Sequence, residues 1–320
     1  MDRQVVAHTL NNQKEGVATI PPKTIKGSSY RTANRGYLGS VFRVVLMIAI
    51  GVGFLYPIMG LLVAPTRTQA NMALGGIAFG SLANVKYAWS QVMGFDNGIY
   101  LEWFKNTVIM VGGGTVLAIA ISIPSGYAMA RLQFPKRKAL LFLTLLLMVM
   151  PNTVLVIPLF LEVSTVHLLN SLWPVVIIFA FYPFGVYLSY IHFRTALPME
   201  LIEAARVDGL TEMAIFFRIA VPLSRQVVAL VGFFSFVAGW TNFFLPYVLL
   251  PQTQQSPLAV GLLQMISSSQ LINPEEGLNV KLYMPELALA SIVTMLPVLL
   301  VFIGAQRYLQ RGAMIGAVKG

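Results

Sequence analysis

Six stretches of the chain, at about 41–64, 104–130, 139–163, 171–193, 226–250 and 287–309, are mostly apolar and almost free of charge. Each reaches the roughly 20 residues that an α-helix needs to cross the hydrocarbon core of a bilayer. The pattern predicts an all-α polytopic membrane protein with six spans. The third and fourth are the least separable, because only 164–170 divides them and prolines interrupt both. The polar remainder sets the domain limits: a tail over 1–40, a membrane domain over 41–310 and a short tail over 311–320. The first apolar run begins too late and lasts too long for a secretory leader, so it is expected to stay as an anchor. The tail before it, with Pro21-Pro22 and scattered Ser, Thr and Gly, has no hydrophobic period and is expected to be unstructured or lightly helical near the membrane.

Composition agrees with the pattern. Of the 320 residues 57% are hydrophobic and 11% charged, against about 25% charged in a soluble domain. The net charge of +10 raises the question of nucleic acid, and the placement of the basic residues answers it. They lie beside the apolar runs, as topology determinants do, so a lipid bilayer is expected as partner and nucleic acid is not. The N-terminal tail region holds seven Lys and Arg (Arg3, Lys14, Lys23, Lys26, Arg31, Arg35, Arg43), the 131–138 loop four, the 194–225 loop four and the C-terminal end three. The opposite flanks hold only Arg67, Lys86, Lys105 and Lys281. Both termini are therefore predicted to be cytoplasmic. Two long segments, about 65–103 and 251–286, then face outward. The second carries Glu275, Glu276 and Glu286 beside Asn273-Pro274, and suits either a solvated connector or a surface for an extracytoplasmic partner.

A charge inside a span is costly and marks function by default. Glu162 is the only acidic residue within one, near its outer end, with His167 in the following loop. An ion-coupled carrier would need intramembrane carboxylates or histidines, so the energy for any transport is expected to enter elsewhere. What the spans do contain is broken-helix chemistry: Pro124-Ser125-Gly126, Pro151-Asn152-Thr153, Pro158, Pro174, Pro183, Trp240-Thr241-Asn242, Pro246 and Pro297. Irregular backbone at membrane depth is tolerated where protein or a water-filled cavity covers it, so the set suits a translocation path as well as helix packing. Amides and aromatic faces would line a path for a polar solute such as a sugar. Asn152, Tyr182, Trp240 and Asn242 are the candidates, each equally readable as structural.

No catalytic residues are indicated. The chain has no phosphate-binding loop, no H-E-x-x-H and no G-x-S-x-G, its histidines (His8, His167, His192) are scattered, and no metal-ligand set is apparent. With no cysteine, disulfides and thiolate sites are excluded.

The cytoplasmic stretch Leu197-Pro198-Met199-Glu200-Leu201-Ile202-Glu203-Ala204-Ala205-Arg206-Val207-Asp208-Gly209 reads as a short helix with sharp ends. Pro198 suits a first position, Glu200 the positive end of the helix dipole, and Gly209 a left-handed closing turn. A second helix is expected from Thr211 as N-cap to before Pro222. Leu201, Ile202, Ala204 and Ala205 form a small apolar face, and the two adjacent alanines let another surface approach the backbone. An amphipathic connector and a docking element both fit.

This stretch resembles the E-A-A-x-x-x-G signature of binding-protein-dependent ABC importer permeases. Asp208-Gly209, Phe216 or Phe217 and Pro222-Leu223 match its extension. Further matches are similar to the maltose-type, G-subunit-like carbohydrate branch: Tyr127-Ala128-Met129-Ala130-Arg131, Met150-Pro151, Leu169-Asn170-Ser171-Leu172, Leu258-Ala259-Val260-Gly261, and the end from Gln306-Arg307-Tyr308 to Lys319-Gly320. The likeness covers about 100–320. Ile202, Leu210 and Gln226 depart from it, where Glu, Ala and Pro are usual.

The resemblance implies a type I (MetI-like) permease fold in a bacterial or archaeal inner or plasma membrane. It also implies a coupling helix at about 199–211 with Glu203, Ala204, Ala205, Asp208 and Gly209 as its ATPase-coupling residues, and an outer loop over 251–286 that probes a binding protein. The implied partners are a second homologous permease, two cytoplasmic ATPase subunits that bind the ATP and magnesium, and an extracytoplasmic solute-binding protein. This chain would then bind no cofactor and hydrolyse nothing. The implied substrate is a carbohydrate, an oligosaccharide first, with a polyol or glycerophosphate as the alternative.

Overall fold

The computed structural model describes residues 37–317 except 77 and 275–279. The expectations for the first 36 residues, for Glu275 and Glu276 and for the last three residues lie outside the described residues. Among the described residues every regular element is helical. The chain divides into a unit ending at Leu55 and a unit Tyr56–Gly320.

The first helix, α1 (Tyr37–Val63), crosses that division and contains Pro57. Its apolar stretch reaches a mean hydropathy of 2.3. Within the second unit, α2 (Leu82–Gly94) is a helix of the outer segment 65–103, capped by the Ser81 hydroxyl on the Ala83 N–H. It turns directly into α3 (Ile99–Arg131), the second span. The kink runs through Asp96, Asn97 and Gly98, all at positive φ (40°, 59° and 88°). These are the residue types for which the left-handed region is least costly.

The third span bends. Helix α4 (Arg137–Val149) stops at Met150, which Pro151 forces into an extended conformation (φ −67°, ψ 127°). The chain resumes through a tight turn, Asn152–Leu155, into α5 (Val156–Thr165), at 95° to α4. The fourth span is interrupted between α6 (Leu172–Ala180) and α7 (Pro183–Thr195), where Phe181 is extended, but still counts as one apolar stretch. On the cytoplasmic side follow α8 (Met199–Val207) and α9 (Glu212–Leu223). Within α9, Phe216–Ala220 is wound as a π-turn. Helix α10 (Arg225–Trp240) leaves α9 at 77°. It ends sixteen residues on at Thr241, and α11 (Phe244–Leu249) completes the fifth apolar stretch. The short apolar α12 (Leu258–Ser267) and the final α13 (Met284–Ala317) close the chain.

Among the described residues four helical stretches are long and apolar enough by themselves to cross a membrane, and six when each bent pair is taken as one. The expected continuous spans at 139–163 and 226–250 are broken, while 171–193 remains one apolar stretch, Leu172–Thr195, interrupted only at 181–182. The fifth pair also begins earlier than expected, at Glu212. Helix α3 is the hub, packed against α6, α7 and α10. Gly126 permits this: a Cβ there would come within 2.3 Å of Ser189 Cβ. Small residues at such crossings are the usual means of close helix approach in membranes.

Candidate functional site

Helix α8 and its C-terminal turn realise the end signals of the sequence. Pro198 stands at the N-cap and Glu200 in the first turn. At the other end the Leu210 N–H donates to Ala205 O (3.0 Å) and the Gly209 N–H to Arg206 O (3.0 Å), with Gly209 at φ +82°. This is a Schellman closure, which requires the left-handed conformation at the glycine. Leu210 folds back onto the apolar cluster beneath the helix. The Thr211 hydroxyl then accepts from the Ala214 N–H (3.3 Å) and starts α9.

The expected apolar face divides in two. Ile202 (0% exposed) and Ala205 (5%), three residues apart on one stripe, are buried, while Leu201 and Ala204 on the adjacent stripe are exposed. The buried pair joins Ile123 and Tyr127 of α3, Phe193 of α7, Phe216 of α9 and Val227 and Val231 of α10 in one cluster. A buried Ile there contributes about 1.5–3 kcal/mol. Of the five expected coupling residues, Ala205 thus faces the membrane domain, and Glu203, Ala204, Asp208 and Gly209 face away from it. Val207 (88% exposed), Met213 and Phe217 are exposed as well. Arg206 is tied to Glu212 (Nε–Oε1 2.7 Å), and this hydrogen bond holds its guanidinium above the ordinary arginine range. Glu200, Glu203 and Asp208 have no ion-pair partner among the described residues, so the exposed face is net acidic.

The four path candidates all lie at helix breaks. Asn152 is exposed at the 95° bend. Tyr182 is half-buried at the α6–α7 break, its ring edge-on to Phe184 at 5.9 Å. Trp240 is buried, stacked on Phe236 (5.2 Å), and donates its indole N–H to Thr294 O (3.0 Å). The Asn242 side-chain oxygen accepts from the Leu245 N–H (3.3 Å) and so starts α11. Trp240 and Asn242 therefore have structural partners in this conformation.

The outer segment 251–286 is held at both described ends by side chains of which the sequence singled out only Glu286. Trp103 Nε1 donates to Thr253 O (2.8 Å), Asn106 Nδ2 to Gln254 O (2.7 Å) and Ser256 O (3.2 Å), and the Thr107 hydroxyl accepts from the Leu258 N–H (2.8 Å). At the far end the Gln91 oxygen accepts from the Lys281 N–H (2.7 Å). Gln270 accepts from the Leu282 N–H (2.6 Å) and donates to Val280 O (3.1 Å), and Glu286 accepts from the Tyr283 N–H (2.9 Å). The signal available was the polar set Trp103, Asn106 and Thr107 on one face of a span's outer end. Among the described residues no three His, Cys, Asp or Glu side chains gather where they could hold a metal.

A family model described as binding-protein-dependent transport system inner membrane component matches residues 122–314. The arabinooligosaccharides transport system permease protein AraQ of Bacillus subtilis is 30% identical over 292 residues, covering 88% of this chain and 97% of its own length. The osmoprotective compounds uptake permease protein GgtD of Synechocystis is 33% identical over 221 residues, 68% of this chain and 70% of that one. In fold, a bacterial ABC transporter that imports the acidic polysaccharide alginate superposes with a TM-score of 0.73 at 21% identity, over 85% of this chain and 96% of that one. From the match over most of the membrane domain, residues 199–211 included, the chain belongs to the family of inner membrane components of binding-protein-dependent transport systems, as a multi-pass ABC importer permease.

Proposed function

We propose that the chain is one of two permease subunits in an ATP-driven importer of a carbohydrate, an oligosaccharide in particular, and forms half of the translocation path. The observation that carries the reading is the two-faced helix Met199–Val207, with Ile202 and Ala205 set into the membrane domain while Glu203, Ala204, Asp208 and Gly209 stay free for a partner. In this reading two cytoplasmic ATPases bind ATP and magnesium and seat this helix in a cleft, where Glu203 meets a basic residue. A second homologous permease completes the path, and an extracytoplasmic binding protein delivers the solute against 251–286. This chain binds no cofactor of its own. AraQ, named for arabinooligosaccharides and aligned over nearly its whole length, supports the carbohydrate class. GgtD, named for osmoprotective compounds, supports a second reading in which the solute is a smaller polar molecule such as a polyol.

The test is uptake by proteoliposomes containing this chain and the subunits that co-purify with it. An oligosaccharide should enter only with ATP and the binding protein, and an uncoupler should leave the uptake intact. Uptake that needs an ion gradient and no ATP would overturn the proposal.

A further inference from the structure

The cytoplasmic end of α3 carries two side chains to which the coupling reading gives no task, Tyr127 and Arg131. They are four residues apart and so share one face of the helix. The Arg131 guanidinium reaches out of α3 to the Leu197 carbonyl and, at 3.2 Å, to Met199 Sδ, the residues on either side of Pro198 at the start of α8. Its base is fixed, because Arg137 donates to Leu132 O and Ala130 O, at 3.2 Å each, and so holds the last turn of α3. Tyr127, buried, packs its ring against Phe193 at the end of α7 (5.4 Å, 85°) and Phe216 in α9 (5.1 Å, 54°). The two residues thus touch the chain before, at and after the coupling helix.

The joint is more polar than packing alone requires. Arg131 Nε is buried without a hydrogen-bond partner, and the buried Tyr127 hydroxyl and Glu212 Oε2 lie beside each other with no further partner. Buried polar atoms in that condition cost free energy and call for a reason. Apolar side chains of the same volume would hold two static helices at least as well.

We propose that Tyr127 and Arg131 are positioning residues that make α8 and α3 move as one body, so that displacement of the coupling helix reaches the second span directly. The proposal rests on the reading that an ATPase seats on α8, and its test is separable from that reading. In assembled complexes, Arg131→Ala should lower solute transported per ATP hydrolysed by about tenfold, the equivalent of one lost charge-assisted hydrogen bond. Arg131→Lys, which keeps a donor for Leu197 O, should recover most of it, and Tyr127→Leu should show the same loss of ratio.

The chain contains no cysteine, so a covalent tie can replace the natural one without background. With Arg131→Cys and Met199→Cys together, the ratio should be low in the free thiol form. It should rise again when a short bis-maleimide bridges the two. An unchanged ratio in Arg131→Ala, or a bridge that blocks transport, would overturn the proposal. Complexes in which Gly209→Val leaves uptake intact would instead overturn the seating of the ATPase on α8. If Arg131→Ala fails to assemble, the bridged and unbridged double variant decides the matter by itself.

Discussion

The indole of Trp103 fills the space beside Gly261: a Cβ on that glycine would lie 2.1 Å from the ring's Cε3 atom. Trp103 is fully buried and also hydrogen-bonded to Thr253 O, so the ring cannot swing away without losing that bond. Gly261→Ala should therefore lower stability by about 1–3 kcal/mol, as overpacking of a tight core does. Thermal unfolding of the purified protein in detergent measures it, and a midpoint equal to the parent's would contradict the contact.

The two alanines of the signature should respond in opposite ways. Ala205→Leu forces extra methylenes into the cluster around Ile202 and should cost about 1–3 kcal/mol of stability. Ala204→Leu lies on the exposed stripe and should change the unfolding midpoint little, yet block co-purification of the ATPase. A pull-down beside a melting curve separates the two.

Gly209 sits at φ +82°, where a β-branched residue is strained. Gly209→Val should reopen the Schellman turn, abolish ATP-driven uptake and leave membrane insertion intact. Uptake at the parent's rate would count against the turn as a coupling element.

Asn152 and Trp240 are distinguishable by kinetics. Trp240→Phe removes the donor to Thr294 O and should cost about 1 kcal/mol of stability, with the solute KM of the importer unchanged. Asn152→Ala, at an exposed bend, should leave stability within about 0.5 kcal/mol and alter solute uptake. Equal kinetic effects from both would refute this separation.

Gln270→Leu should remove two of the four bonds that hold the second stem of the outer segment and strand the backbone N–H of the buried Leu282, at a cost of about 1–3 kcal/mol. Stimulation of ATP hydrolysis by the binding protein should fall with it. Full stimulation would show that this stem is not read by the binding protein.

The long apolar runs gave α1, α3 and α13 within a few residues, and Pro198, Glu200, Gly209 and Thr211 gave the ends of the coupling segment. Such features are set by composition and by local backbone preference. The breaks were harder. Pro151 and Pro183 flagged two of them, and the polar pair Thr241-Asn242 pointed to a third although no proline stands there. Helix α2 was hidden because its apolar residues alternate with Asn, Lys, Ser and Gln. The ties from Trp103, Asn106 and Thr107 join positions about 150 residues apart in the chain, which no local pattern encodes. The division of the E-A-A stripe between Ala204 and Ala205 needed the neighbours to be in place.

The Schellman turn at Gly209 has a consequence for partner choice. The carbonyls of Ala204, Ala205 and Arg206 already accept hydrogen bonds from Asp208, Leu210 and Gly209. In the proposed reading, an ATPase approaching this end would find those three acceptors taken and would rely more on side chains. Discrimination between rival ATPases in one cell then rests on exposed positions such as Leu201, Glu203 and Val207, where single substitutions can add a clash or an unpaired charge. Such surfaces can diverge between importers while the turn that presents them stays the same.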